Sequence, residues 1–184
     1  MQGGDEAGFG DESRREAIRD EFNRLEESAK CSSQGQFEQA KQWRSVNLGL
    51  GAPTSLLAAI SGATVLSDTG YAVLGGIFAL MAAAGGAILT TLNASHRMNQ
   101  AAAAANAYLE IQTAARQARL IDLPGQDLGE SRAVLAELTA RRDEQNKTAE
   151  IINRRAWKKA QSNINDGGQD YAVDGSSGQS DTER

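Results

Sequence analysis

"GAPTSLLAAISGATVLSDTGYAVLGGIFALMAAAGGAILTTLNASH", residues 51–96, contains one charged side chain, Asp68, in a chain of 184 residues of which 23% are Asp, Glu, Lys or Arg. Twenty-three uncharged residues (45–67) separate Arg44 from Asp68, and twenty-eight (69–96) separate Asp68 from Arg97. A helix crosses a bilayer core of about 30 Å with roughly 20 residues, so each run is long enough for one span. A soluble amphipathic helix carries charge on its outer face every third or fourth position, and neither run has such a face. A buried hairpin inside a soluble bundle needs apolar cover on every side, and the flanking segments are short of large apolar residues to provide it. The stretch therefore predicts a two-span helical hairpin, with transmembrane helices over about 45–67 and 70–96 joined by "SDTG".

The rest of the chain supports an all-α architecture. Only two prolines occur, aromatics are 5%, and β-branched residues rarely alternate with polar ones, so strands have little support. Residues 13–44 start with a capping-box pattern, Ser13 followed by Glu16, and place Ile18, Phe22, Leu25 and Ala29 on one face of a helix that leads into the first span, with "CSSQGQ" a place where it could break. After the second span the helix is expected to continue without interruption over 97–121 until Pro124 and Gly125 stop it. Asp127 with Glu130 then caps a last helix over 128–165. The ends, 1–12 and 166–184, are rich in Gly, Ser and Asp and read as disordered acidic tails. Each contributes −4 to a net charge of −5, which leaves the body at +3.

The flanks set the expected orientation. Lys41 and Arg44 precede the first span, Arg97 follows the second, and the connecting turn has no Lys or Arg. By the positive-inside rule both termini face the cytoplasm of a cell whose inner membrane the hairpin crosses twice. Trp43 and Tyr71 suit interfacial anchoring, and Arg44, His96 and Arg97 fall at the cytoplasmic mouth. Helices associate in lipid through small residues and Ser/Thr hydrogen bonds. Such residues recur at four-residue spacing as Ser55, Ala59 and Ala63 in the first span and as Gly75, Ala79 and Ala83 in the second, with Ala82 and Gly86 adding a further stripe. The spacing favours close packing without saying with which helix, and oligomerisation through the spans is a separate expectation. Ser55, Ser61, Thr64, Thr90 and Thr91 are the polar side chains available to line a path, and all are neutral. In "INRRAWKKA", Arg154, Arg155, Lys158 and Lys159 surround Trp157. That face could lie on an anionic leaflet, touch nucleic acid, or stay solvated while Ile151, Ile152 and Ala156 pack; acidic Asp143, Glu144 and Glu150 just upstream favour the solvated face.

No enzymatic pattern emerges. There is no phosphate loop after a strand, no HExxH and no GxSxG. Cys31 is the only cysteine and His96 the only histidine, so a Cys/His zinc site cannot be assembled. The expectation is a protein without catalytic residues, cofactor or metal.

Two short, small-residue-rich spans joined by a tight turn, preceded by a polar helix with Glu26, Phe37 and Trp43, and followed by "NAYLEIQTAARQARLID" and a charged helix ending "WKKAQSNIN", resemble the SLATT family. These are the SMODS- and SLOG-associating two-transmembrane effector domains of bacterial conflict systems, and the resemblance covers about residues 14–165. It implies a homo-oligomeric effector that perforates the inner membrane after a separate partner senses invasion. That partner would be a nucleotide second-messenger synthase, a nucleotide-sensing protein or a reverse transcriptase, and direct nucleic-acid binding by this chain is not expected. Two other readings stand beside it: a two-span anchor or scaffold for a cytoplasmic helical partner, and a holin-like lysis protein, against which the large cytoplasmic portion counts.

Overall fold

The structure, a computed structural model, describes residues 4–66 and 70–169, and every regular element among them is a helix. In order these are α1 (Gly4–Leu66), α2 (Ala72–Leu92), α3 (Ala94–Gln117), a π turn (Ala118–Asp122), α4 (Leu128–Thr148) and α5 (Arg154–Asn165). Residues 1–38 with 103–184 form one compact unit and residues 39–102 a second.

Four sequence expectations need correction. Helix α1 already includes Gly4–Glu12, so Ser13 lies inside the helix instead of capping it, and most of the expected acidic N-terminal tail is helical. Of the C-terminal tail, 166–169 form turns and 170–184 lie outside the described residues, as do 1–3 and the turn residues 67–69. The "CSSQGQ" stretch, 31–36, does not break α1. The helix following the second span is interrupted at Asn93, which has φ 48° and ψ 42°; its N–H closes α2 on the Leu89 carbonyl, and its own carbonyl accepts from Arg97 N–H to start α3. Asn tolerates this left-handed conformation because its short polar side chain limits the steric cost. The last helix is two helices: α4 starts on Asp127, whose carboxylate accepts from Gly129 N–H, and α5 starts on Asn153, whose side-chain oxygen accepts from Arg155 and Ala156 N–H. Between them, 149–153 are extended or irregular. Asn153 is a strong N-cap, which is why the chain restarts there.

The larger unit is held by the face expected from the spacing. Phe22, Leu25 and Ala29 are buried against Ile111, Ala115, Ala118 and Leu138, with Ile18, Val134 and Leu135 packed around them. Burial of each large side chain contributes roughly 1.5–3 kcal/mol. Glu26 and Arg119 make a mostly buried ion pair at 2.9 Å across this core, and Arg15 donates to the Leu123 and Gln126 carbonyls.

Continuity through "CSSQGQ" has a tertiary cause. Ser33, Gln34, Gly35, Gln36 and Glu38 are all buried. Gln36 donates to the Glu150 carbonyl at 2.8 Å, Asn163 donates to Gln34 at 3.4 Å, and Lys159 pairs with Glu38 at 3.4 Å. Gly35 admits the Ile152 side chain so closely that a Cβ there would lie 2.6 Å from its terminal methyl. The weak helix formers in this stretch are chosen for that embrace, and the packing overrides their local preference.

Candidate membrane-spanning hairpin

In the smaller unit, the last part of α1 runs antiparallel to α2, as the rising and falling numbers of the contacting residues show. A Cβ on Gly75 would overlap the Thr64 hydroxyl, one on Gly85 would overlap the Thr54 hydroxyl, and one on Gly51 would touch Leu89 at 3.8 Å. The Ser61 hydroxyl donates to the Gly75 carbonyl at 2.8 Å, a hydrogen bond between the two helices. Further along, the Arg97 guanidinium stacks over the Trp43 ring, 5.0 Å from its centre. Two residues expected at the mouth are thus brought together, while Arg44 and His96 are exposed.

The contacting residues follow a seven-residue period, not a four-residue one. From Gly51 on, the buried or half-buried described positions of α1 are Gly51, Thr54, Leu57, Ser61 and Thr64; on α2 they are Gly75, Phe78, Ala82, Gly85, Leu89 and Leu92, with Gly86 half-buried beside them. This alternation of three and four is the seam of two helices packed nearly antiparallel. Of the sequence-nominated stripes, Gly75 and Ala82 lie in the seam, as do Ser61 and Thr64 from the residues nominated to line a path, whereas Ser55, Ala59, Ala63, Ala79 and Ala83 are exposed on other faces and Gly86 is half-buried. Four-residue spacing therefore missed Thr54 and Gly85, among the closest contacts in the hairpin. The seven-residue spacings 54/61, 57/64, 75/82/89 and 78/85/92 carried the signal.

Four threonine hydroxyls in the hairpin are satisfied locally. Thr54 donates to the Leu50 carbonyl at 2.6 Å, Thr64 to Ser61 at 2.8 Å, Thr90 to Gly86 at 2.9 Å and Thr91 to Ala87 at 2.8 Å. Pro53 sits inside α1, where its ring nitrogen has no proton to give the preceding turn.

Both apolar helices are long and apolar enough to cross a membrane, and in the most apolar eighteen-residue stretch of each only 6% and 11% of the residues are buried within the chain. The core helix of a soluble protein has most of such a stretch covered. Here Leu56, Val73, Leu80 and Met81 point outward, 61%, 76%, 73% and 53% exposed. In the larger unit, Arg154, Arg155, Lys158 and Lys159 are exposed on α5. No family model, curated protein or solved structure matches the chain.

Proposed function

We propose that this chain is a two-span protein of the bacterial inner membrane that acts as a SLATT-type effector, several copies joining through the spans to perforate or depolarise the membrane when a partner sensor is triggered. The observation that carries the membrane reading is the outward apolar surface of α1 and α2, which a single chain leaves uncovered. Lipid is the solvent that favours it. The basic flanks Lys41, Arg44 and Arg97 support termini on the cytoplasmic side. The effector reading rests on the resemblance of residues 14–165 to the SLATT plan. Small residues outside the hairpin seam, Ser55, Ala59, Ala63, Ala79, Ala83 and the half-buried Gly86, supply faces on which second copies can approach closely. A two-helix unit cannot enclose an aqueous path alone.

The anchor reading has one observation in its favour: the hydroxyls of Thr64 and Thr90 donate to carbonyls of their own helices and are not held ready for a path. One experiment separates the readings. A potential-sensitive dye is followed in cells that overproduce the chain, with and without the products of neighbouring genes. The effector reading expects depolarisation with growth arrest; a membrane-embedded chain that leaves the potential intact under triggering conditions would establish the anchor instead.

A further inference from the structure

We infer that the outer face of α5, carried by Arg154, Arg155 and Lys158 with Trp157 at its flank, is a docking surface for an anionic phospholipid leaflet. The inference rests on the membrane reading above and adds to it a lipid class and a site.

Helix α5 is docked through very little side chain. Ala156 and Ala160 are its buried positions, 0% and 1% exposed, and Ile164 is half-buried. At 100° per residue these three define one inner face, which places Arg154, Arg155 and Lys158 on the opposite side. Lys159 lies at one edge and reaches inward to Glu38. Trp157 lies at the other edge, 38% exposed, and Ile151 just before the helix is 90% exposed. A cationic face bordered by an exposed indole and an exposed branched aliphatic is the composition of a surface-lying helix: charge meets the headgroups while the apolar rim enters the acyl boundary.

Two of the three upstream acids are engaged elsewhere, and the third, Glu150, makes no ion pair with Arg154, Arg155 or Lys158 among the described residues. Asp143 and Glu144 belong to α4, across the break at 149–153, and they pair with Arg142 at 2.9 Å and Lys147 at 3.0 Å. Arg154, Arg155 and Lys158 make no ion pair with a carboxylate among the described residues, and α5 itself contains no acid. A nucleic acid fits less well. Nucleic-acid binders commonly neutralise about 6–10 phosphates, and here three cations occupy little more than one turn with one aromatic. A leaflet requires no extended track, and each Lys or Arg near an anionic surface shifts the surface equilibrium by roughly five-fold.

The test uses the full chain carrying Trp43→Phe, which leaves Trp157 as the one tryptophan, reconstituted into phosphatidylcholine vesicles containing either brominated phosphatidylglycerol or the same fraction of brominated phosphatidylcholine. The expected result is stronger quenching of Trp157 by the anionic lipid, suppressed by high salt. Arg154→Gln/Arg155→Gln/Lys158→Gln should remove the preference, since three cations together are worth on the order of 100-fold in the surface equilibrium. Circular dichroism checks that the variant keeps its helices. Equal quenching by both lipids, or a preference untouched by the triple substitution, overturns the inference. So does a response of Trp157 to a single-stranded oligonucleotide in place of phosphatidylglycerol. Flotation with the neutral vesicles reads the membrane proposal separately. A chain that floats but shows no lipid preference refutes this inference alone, and one that fails to float refutes both.

Discussion

Gly85→Ala is the most informative small change in the hairpin. The new Cβ would overlap the Thr54 hydroxyl and crowd the rest of that side chain, with Thr54 Cγ2 and Cβ at 3.3 and 3.4 Å. Thr54 is β-branched, so relieving the overlap means leaving its preferred rotamer or separating the helices. Rotation would also break its bond to the Leu50 carbonyl. Overpacking of this kind costs about 1–3 kcal/mol, and the better helix propensity of Ala returns at most about 1 kcal/mol, for a net loss of about 1–2 kcal/mol. Gly75→Ala meets Thr64 in the same way. The two sites are ten residues apart, about 15 Å along the helix, so their effects should add to about 2–4 kcal/mol. Gly76 and Gly86 have open space where a Cβ would stand, and Ala at either should be neutral or mildly stabilising. The assay is titration of the detergent-solubilised chain with dodecyl sulfate, read by energy transfer between dyes on Leu48→Cys and Leu92→Cys in a Cys31→Ser background. Equal midpoints for Gly85→Ala, Gly86→Ala and the parent would refute the seam.

Larger substitutions on the outward faces, Ala79→Leu and Gly86→Leu, should leave that midpoint alone and weaken crosslinking between copies, each by about 1–2 kcal/mol if it lies at a contact; unchanged crosslinking would remove these residues from the assembly. A membrane-impermeant thiol reagent should label Thr69→Cys from outside intact spheroplasts and miss Cys31, and the reverse pattern would invert the topology. In the larger unit, burial raises the Tyr108 phenol pKa above its usual 10.0, with the positive charge of Arg142 pulling it back in part. The folded state therefore holds the proton more tightly than the unfolded one, so stability is complete below pH 10 and declines as the pH rises above it. Tyr108→Phe, which gives up the 2.7 Å bond to Asn146, should lower thermal stability at neutral pH and flatten the alkaline decline.

What the sequence revealed and what it hid differ in physical kind. Phe22, Leu25 and Ala29 were legible because one apolar face at helical spacing has one thing to do, and they form the core. The Asp127 cap was legible because its side chain acts on the backbone two residues away. The break at Asn93 was not, since Asn occurs inside helices as well as in left-handed caps and no Gly or Pro marks the site. Nor was the Asn153 restart, where a single cap residue competes with a stretch that otherwise propagates helix. The persistence of α1 through "CSSQGQ" depends on Ile152, Glu150, Lys159 and Asn163, more than a hundred residues away. Within the apolar runs Ala and Gly occur on every face, so a stripe can be drawn at almost any spacing. The large neighbours Phe78 and Leu89, alternating with Gly85 and Ala82, decide which stripe meets the other helix.

The hydroxyls of Thr54, Thr64, Thr90 and Thr91 are each closed onto their own helix, and that of Ser61 onto its neighbour. In hydrocarbon an unpaired polar group costs several kcal/mol, and that penalty is what forces many polar helices to find partners at once. These five groups exert no such pressure. With these groups closed, copies of the hairpin placed in lipid would gain little from them on meeting beyond van der Waals contact. Any association of copies would then be weak, reversible and governed by local concentration, which would allow such a component to be kept in store as single molecules and gathered on demand.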